Sequence, residues 1–347
     1  MLLAFLGLPL ASCTSTSSTQ PSPQGTDTTQ PGNTDTTQPQ PSDEPYVDYY
    51  VSAVSDTSAP MIAGTYEGKE LDYVISSYPV IFAARNQSKK ELTEIINVAE
   101  EFGEKYDTDG FPQAGLFIKT SLDEDASKSS DIESFLAAFD SSVTDLVNGA
   151  SKAVEYMNAY NQDATLQQSR FGFNSNVLKG SQNGNKLAFI EADKNPTIAD
   201  FNTFKTSLNI DVAEEDLSKY YPTSSQENAS AEAESLEFNV VCPQGAPAAS
   251  LARYATSDKL ILGQPAQVQA AFKQGTADFI VFDSVNGLKL SAQNGDNYKL
   301  VRMVTYGNLY VVATGNDDNS KLDREDLVLS YGQNSVPDLA FKAVYGD

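Results

Sequence analysis

Short apolar runs that end in glycine-containing turns repeat along the carboxy-terminal third of the chain, and this repeat constrains the fold most. Residues 236–242 are apolar and β-branched, the turn 243–247 follows, and the next residues suit a helix. This order predicts a strand, a tight turn and a helix start. Runs at 279–282, 298–304 and 327–331 end in similar polar turns. Alternating strands and helices of this length predict an α/β fold with mainly parallel sheets.

The polar residues of these turns are the candidate ligand contacts. In parallel sheets, ligands bind beyond the carboxyl ends of the strands, where helix N-termini present unpaired N–H groups. Serine, asparagine and glutamine also form caps and turns, so a purely structural role is the alternative for each. The candidates are Gln244, Gly245, Ala246, Ser284, Asn286, Thr305, Asn308, Gln333, Asn334 and Ser335, with Ser55 and Ser77 as secondary candidates.

The composition excludes several kinds of chemistry. The chain has no histidine and two cysteines, so neither a His–Cys zinc cluster nor a Ser–His or Cys–His dyad can form. We therefore expect no catalytic activity, no metal and no cofactor. The formal net charge of −24 would repel a phosphate backbone, which argues against nucleic-acid binding. Cys242 ends an apolar run and is expected to be a buried free thiol.

The first 45 residues contain no segment that could build a core. Residues 2–10 are apolar but too short to span a bilayer, and they lead to Leu-Ala-Ser-Cys at 10–13. This ending resembles a bacterial lipobox, which implies cleavage before Cys13 and lipidation of its thiol, although the usual basic residues are missing. A chance apolar start is the alternative. Residues 14–45 are rich in Ser, Thr, Gln and Pro and are expected to be a disordered tether.

The turns and strands of the carboxy-terminal third also resemble a known family. The segments Val-Cys-Pro-Gln-Gly-Ala-Pro-Ala (241–248), Asp-Phe-Ile-Val (278–281), Val-Asn-Gly (285–287), Tyr-Gly-Asn-Leu-Tyr (306–310) and Tyr-Gly-Gln-Asn-Ser-Val-Pro-Asp (331–338) carry the resemblance. They are similar to the first half of ABC-transporter substrate-binding proteins of the nitrate/sulfonate/taurine-like group. The resemblance implies the two-lobed type II periplasmic-binding-protein fold, which closes over its ligand like a Venus flytrap.

The two halves of the family occur in reversed order in this chain. Residues from 46 to about 220 resemble the second half, and a polar joint at 223–235 connects them to the first. Circular permutation accounts for this order, and a gene fragment or duplicated half is the alternative. The permuted layout has lobe 2 at 46–84 plus 310–347 and lobe 1 at 85–309. Crossings are expected near 82–84 and 308–310, and residues 345–347 should lie beside 45–47. Tyr78-Pro79 replaces a Glu-Pro dipeptide of the family.

The resemblance implies a solute-binding lipoprotein on the outer face of a bacterial cytoplasmic membrane. We expect a monomer that captures a small polar or anionic molecule (sulfonate, nitrate or carboxylate-like) and delivers it to an ABC permease. Arg302 is the one arginine near a candidate turn, which favours a monoanion or neutral ligand over a clamped dianion. Alternatives are a binding protein for a thiamine pyrimidine precursor and a surface scaffold or adhesin with a degenerate pocket. Pyrimidine-forming enzymes of this fold consume a histidine, which this chain lacks.

Overall fold

The structure is a computed structural model that describes residues 48–52, 57–88, 90–182, 185–191, 194, 204, 206, 235–315, 322, 326–332 and 335–345. Expectations for the start of the chain, the tether and most of the polar joint fall outside these residues. Contacts divide the chain after Asp43, and all described elements belong to the unit Glu44–Asp347.

The described residues contain twelve strands, listed in chain order. They are β1 Asp48–Ser52, β2 Thr65–Tyr66, β3 Lys69–Glu70, β4 Tyr73–Ser76, β5 Glu94–Asn97, β6 Pro112–Lys119, β7 Val240–Pro243, β8 Leu260–Gly263, β9 Phe279–Asp283, β10 Tyr298–Tyr306, β11 Tyr310–Ala313 and β12 Leu327–Tyr331. β2 and β3 form a separate two-stranded sheet.

Eleven α-helices occur in the same part of the chain. They are α1 Ser58–Ala63, α2 Val80–Ser88, α3 Val98–Tyr106, α4 Thr120–Asp123, α5 Ser129–Val147, α6 Ser151–Tyr160, α7 Ala164–Phe171, α8 Ser175–Ser181, α9 Pro265–Gln274, α10 Ser284–Gln293 and α11 Val336–Tyr345. Two 3₁₀-helices have described bounds, Ala126–Lys128 and Ala246–Tyr254. The molecule is therefore α/β, as the sequence predicts.

Two five-stranded sheets have the same arrangement. The first sheet has the order β1-β12-β4-β11-β5, and the second has β8-β7-β9-β6-β10. In the first, β1, β12 and β4 are parallel neighbours, and β11 is antiparallel to both β4 and β5. In the second, β8, β7 and β9 are parallel neighbours, and β6 is antiparallel to both β9 and β10. Each sheet is thus mixed, with one reversed strand in fourth position.

In each sheet, the reversed strand is the first strand that the chain forms after it crosses from the other sheet. The chain leaves the first sheet after β5 and α3 and enters the second at β6, and it returns between β10 and β11. The return agrees with the crossing expected at 308–310. The chain does not cross at 82–84, because these residues lie inside α2 and because β5 still belongs to the first sheet. The boundary expected at residue 84 therefore lies beyond α3.

Local sequence explains where several elements begin and end. α1 ends at Gly64, whose φ of 71° is the left-handed conformation that glycine adopts without strain. Pro337 occupies the first turn of α11, where its missing N–H costs nothing. β7 begins at Val240, later than the expected start at residue 236, and the Asn239 carbonyl before it accepts the N–H groups of Asp278 and Phe279.

The core consists of two layers that each run across both sheets. Val74 of β4 and Leu116 of β6 belong to one buried cluster, whereas their neighbours Ile75 and Phe117 belong to the other. Successive residues of a strand point to opposite faces, so each cluster covers one face of both sheets. Among the described residues, no helix has the length and apolar character needed to span a membrane.

Candidate functional site

The two sheets are joined at Asp283, the last residue of β9. One carboxylate oxygen accepts a hydrogen bond from the backbone N–H of Asn286 (2.8 Å), so Asp283 caps α10. The other oxygen accepts one from the backbone N–H of Val336 (3.0 Å), the first residue of α11. α10 follows a strand of the second sheet and α11 follows a strand of the first. A single side chain therefore binds helix N-termini from both sheets.

Asp283 is balanced by backbone dipoles. Burial raises the pKa of Asp283, and the N–H groups of Asn286, Val336 and Val285, with the charge of Lys289, oppose this increase only in part. Helix N-termini carry partial positive charge, which stabilises a carboxylate without a partner cation. The junction thus holds a carboxyl group of the protein itself, with a backbone N–H bonded to each oxygen.

Tyr331 and Ser77 lie on the first-sheet side of this junction. Tyr331 ends β12 and its hydroxyl donates to Ser77 Oγ across 3.4 Å. Burial raises the pKa of Tyr331, the hydrogen bond with Ser77 lowers it, and the charge of Asp283 raises it further. Both residues are partly exposed.

Ser335 is at the start of α11, beside the capped N–H of Val336. Its N–H donates to the Gly332 carbonyl (2.8 Å), and its Oγ is buried without a hydrogen-bond partner among the described residues. Gly332 has a φ of 68°, and a Cβ there would lie 2.5 Å from Ser335 Oγ. This turn therefore requires glycine. Ser335 directly precedes Val336, whose N–H binds Asp283, so this predicted residue belongs to the first-sheet side of the junction.

The turn after β7 is held by its own sheet. Gln244 Nε2 donates to the Ser169 carbonyl (2.8 Å), and Gln244 Oε1 accepts from Gln264 Nε2 (2.7 Å). The Gly245 N–H donates to a carbonyl of α7, and Ala246 is buried in the 3₁₀-helix. The Gln244 side chain is thus engaged in supporting the turn, which favours the structural alternative for this residue.

Three other candidates have different environments. Ser284 is buried, and its Oγ donates to the Pro112 carbonyl (3.1 Å). Thr305 is buried in β10 and pairs with Phe189 through an isolated bridge. Asn286 is partly exposed next to Asp283 and so belongs to the junction.

Asn308 connects the two sheets at the return crossing. Its side-chain amide accepts from the Tyr78 N–H (2.9 Å) and donates to the Tyr78 carbonyl (2.7 Å). The Gln113 side chain pairs in the same way with the backbone N–H (3.0 Å) and carbonyl (3.2 Å) of Asn308. Asn308 is buried and all of these groups are paired, so its role is to fix the crossing.

Arg302 lies away from the junction. Its guanidinium binds both oxygens of Asp140 on α5, with Nε 3.0 Å from Oδ1. The one arginine near a candidate turn is thus paired with a carboxylate of the protein itself, because β10 directs it to α5. Ser55, Gln333, Asn334 and the lipidation candidate Cys13 lie outside the described residues. Cys242 is buried as expected, and burial raises the pKa of its thiol.

A cluster around Glu94 was not predicted. Glu94 receives Arg85 Nη2 at 2.8 Å, Lys186 Nζ at 2.6 Å and the hydroxyl of Tyr78. Tyr78 follows β4, and its hydroxyl meets the carboxylate of Glu94 from β5. Tyr78 and Glu94 are 16 residues apart, but Lys186 is 92 residues beyond Glu94, and each residue is ordinary alone, so no local pattern could reveal the whole cluster.

Asp283 and Tyr331 were also missed as site residues. An aspartate that ends an apolar strand just before a helix is a recognisable N-cap, and this signal identifies Asp283. Its second bond, to Val336, depends on how the sheets meet. Comparisons with protein-family models, with characterised proteins and with solved structures found no match.

Proposed function

We propose that this chain is a solute-binding protein that captures a small polar molecule between its two sheets. The observation that carries the proposal is the pair of sheets with one strand order, bonded to each other at Asp283 and Val336 near their carboxyl ends. Two such sheets with two crossings support the type II periplasmic-binding-protein fold that the family resemblance implies. Ligands of open α/β sheets bind outside the carboxyl ends of the strands.

The arrangement of β12, α11 and β1 supports circular permutation. β12 and β1 are parallel neighbours, and such strands are normally connected by a crossover helix. α11 follows β12 in the place of this helix, whereas β1 precedes β12 in the chain and lies among the first described residues. Strands from the first and last described parts of the chain are thus neighbours in one sheet, the arrangement that permutation predicts.

Binding would work by a shift between open and closed forms. A solute that contacts both sheets only when they are closed stabilises the closed form by its difference in affinity. The crossings at 107–111 and 307–309 are the connections that would flex. No bond is made or broken, in keeping with a chain that has no histidine.

The start of the chain supports a location at the cell surface. Lipidation at Cys13 and the polar tether to residue 45 would hold the body outside the cytoplasmic membrane, where an ABC permease is the expected partner. We propose that the protein acts as a monomer.

A thermal-shift screen tests the proposed function. Purified protein is heated with sulfonates, nitrate, amino acids, pyrimidines, amines or polyols, and one class should raise the melting temperature. A ligand at 100 times its Kd stabilises the folded form by about 3 kcal/mol. Tyr331→Ala should reduce this shift, whereas Tyr156→Ala on α6 should not. No shift with any class would contradict solute binding and support the scaffold or adhesin.

A further inference from the structure

The N-termini of α10 and α11 meet around one carboxylate. Each helix has ten residues and follows the carboxyl end of a strand, but the two strands are in different sheets. Asp283 Oδ1 is 2.8 Å from the Asn286 nitrogen, and Oδ2 is 3.0 Å from the Val336 nitrogen. The carboxylate therefore has one oxygen on each helix.

This geometry is that of a bound anion. Helix N-termini favour negative charge because their first N–H groups are unpaired and the helix dipole points its positive end there. An acid group of a ligand at this junction would bind the same N–H groups. Asp283 already uses them, and a second anion beside it would meet the repulsion of a like charge.

We propose that the carboxylate of Asp283 occupies the position where an anionic ligand would bind. The junction would then select solutes that donate hydrogen bonds and carry no acid group. This inference rests on the proposed function for its solute, whereas the occupancy itself concerns only Asp283 and the two helices. The acceptors offered to such a solute are the remaining lone pairs of Asp283 and the hydroxyl oxygens of Ser77 and Tyr331.

Two substitutions separate the charge of Asp283 from its volume. Asp283→Ser keeps an N-cap side chain for α10 but is too short to reach Val336, so it leaves a gap of about the size of a small anion. Asp283→Asn keeps the volume but places an amide NH₂ where one oxygen was. Formate and nitrate are the probes, and the melting temperature of each variant is measured against their concentration.

We expect both variants to melt below the wild type. Formate and nitrate should raise the melting temperature of Asp283→Ser in proportion to the logarithm of their concentration. For Asp283→Asn and the wild type, these anions should change the melting temperature no more than chloride does. Asp278→Ala is the matched control, since Asp278 also accepts a backbone N–H, from Asn239, but at the other end of β9. It should show no rescue.

The outcomes distinguish this inference from the proposed function. Equal responses of Asp283→Ser and the wild type to both anions would overturn the occupancy, whatever solute the protein binds. Wild-type stabilisation by a sulfonate, nitrate or carboxylate would overturn the selectivity while supporting solute binding. Stabilisation by an amine or by a polyol supports the selectivity, and the two arms identify which donor class binds.

Discussion

Glu94 is the residue at which most charges converge outside the junction. Burial raises its pKa, but the hydrogen bonds from Lys186 and Tyr78 and the charges of Lys186 and Arg85 outweigh burial, and the net effect lowers the pKa of Glu94 below 4.5. The same carboxylate adds to the burial that raises the pKa of Tyr78. The cluster ties α2 and β5 to the segment that precedes Phe189.

Glu94→Gln should make the free energy of unfolding less dependent on pH in the acidic range. Because the folded-state pKa of Glu94 is lowered, its ionised form stabilises the protein above pH 4.5, and this contribution is lost as the pH falls through the lowered pKa. We expect a loss of about 1–2 kcal/mol in the free energy of unfolding at pH 7, because Lys186 is partly exposed.

Urea unfolding of both proteins at pH 7 and at pH 3 measures this difference. The loss of unfolding free energy caused by Glu94→Gln should be larger at pH 7 than at pH 3. Glu237→Gln is the control, because Glu237 pairs with Lys259 at an exposed site 3.6 Å away, and its effect should be smaller. A loss for Glu94→Gln that is the same at both pH values would contradict the ionic role.

Single residues show which parts of a site the sequence can predict. Asn286 bonds to Asp283 through its backbone N–H, and Ser335 precedes Val336, whose N–H bonds to Asp283 from the other sheet. Gln244 and Asn308 are polar turn residues of the same kind, yet their side chains bond to neighbouring backbone. Whether a turn amide faces a cleft or supports its own loop depends on contacts with residues more than 70 positions away, which composition and spacing do not encode.

At the scale of elements, α2 and α8 connect the first-sheet and second-sheet parts of the molecule through a ring and a glycine. A Cβ on Gly180 would lie 2.0 Å from Phe82 Cζ, so the helices approach only because residue 180 has no side chain. Phe82 was expected at a hinge, and it lies instead within a continuous helix that packs on α8.

Gly180→Ala should destabilise the protein despite the higher helix propensity of alanine. We expect a loss of about 1–3 kcal/mol from the displaced ring, against a propensity gain of about 1 kcal/mol at most. Chemical denaturation of Gly180→Ala, Phe82→Leu and the double variant measures the coupling. The double variant should be more stable than the sum of the single losses implies, and strict additivity would mean that the contact is absent.

Periodicity predicted elements well where a strand is apolar and bounded by turns. β12 spans the expected residues 327–331, and α11 begins with Pro337 in its first turn. The segment after Gly245 is a 3₁₀-helix where a helix was expected, with Pro247 near its start. The sequence pattern did not indicate the crossing after α3, because the apolar residues of α2 are compatible both with a helix and with a crossing.

At the scale of the whole molecule, the repeated strand order is the feature that sequence order hides. The fourth strand of each sheet comes from the other half of the chain, so neither sheet can form from a contiguous segment. Strand identity could be predicted from local patterns, but the position of β6 and β11 follows only from pairing across more than 150 residues.

Hydrogen exchange tests the central claim, that a small solute binds between the two sheets, most directly. Three samples are compared: the protein as purified from cells, the protein freed of small molecules by unfolding and refolding, and that protein after the released molecules are returned. We predict that amides of 283–290 and of 335–345 exchange more slowly together in the first and third samples than in the second. Protection of only one of these segments, or of neither, would contradict the account.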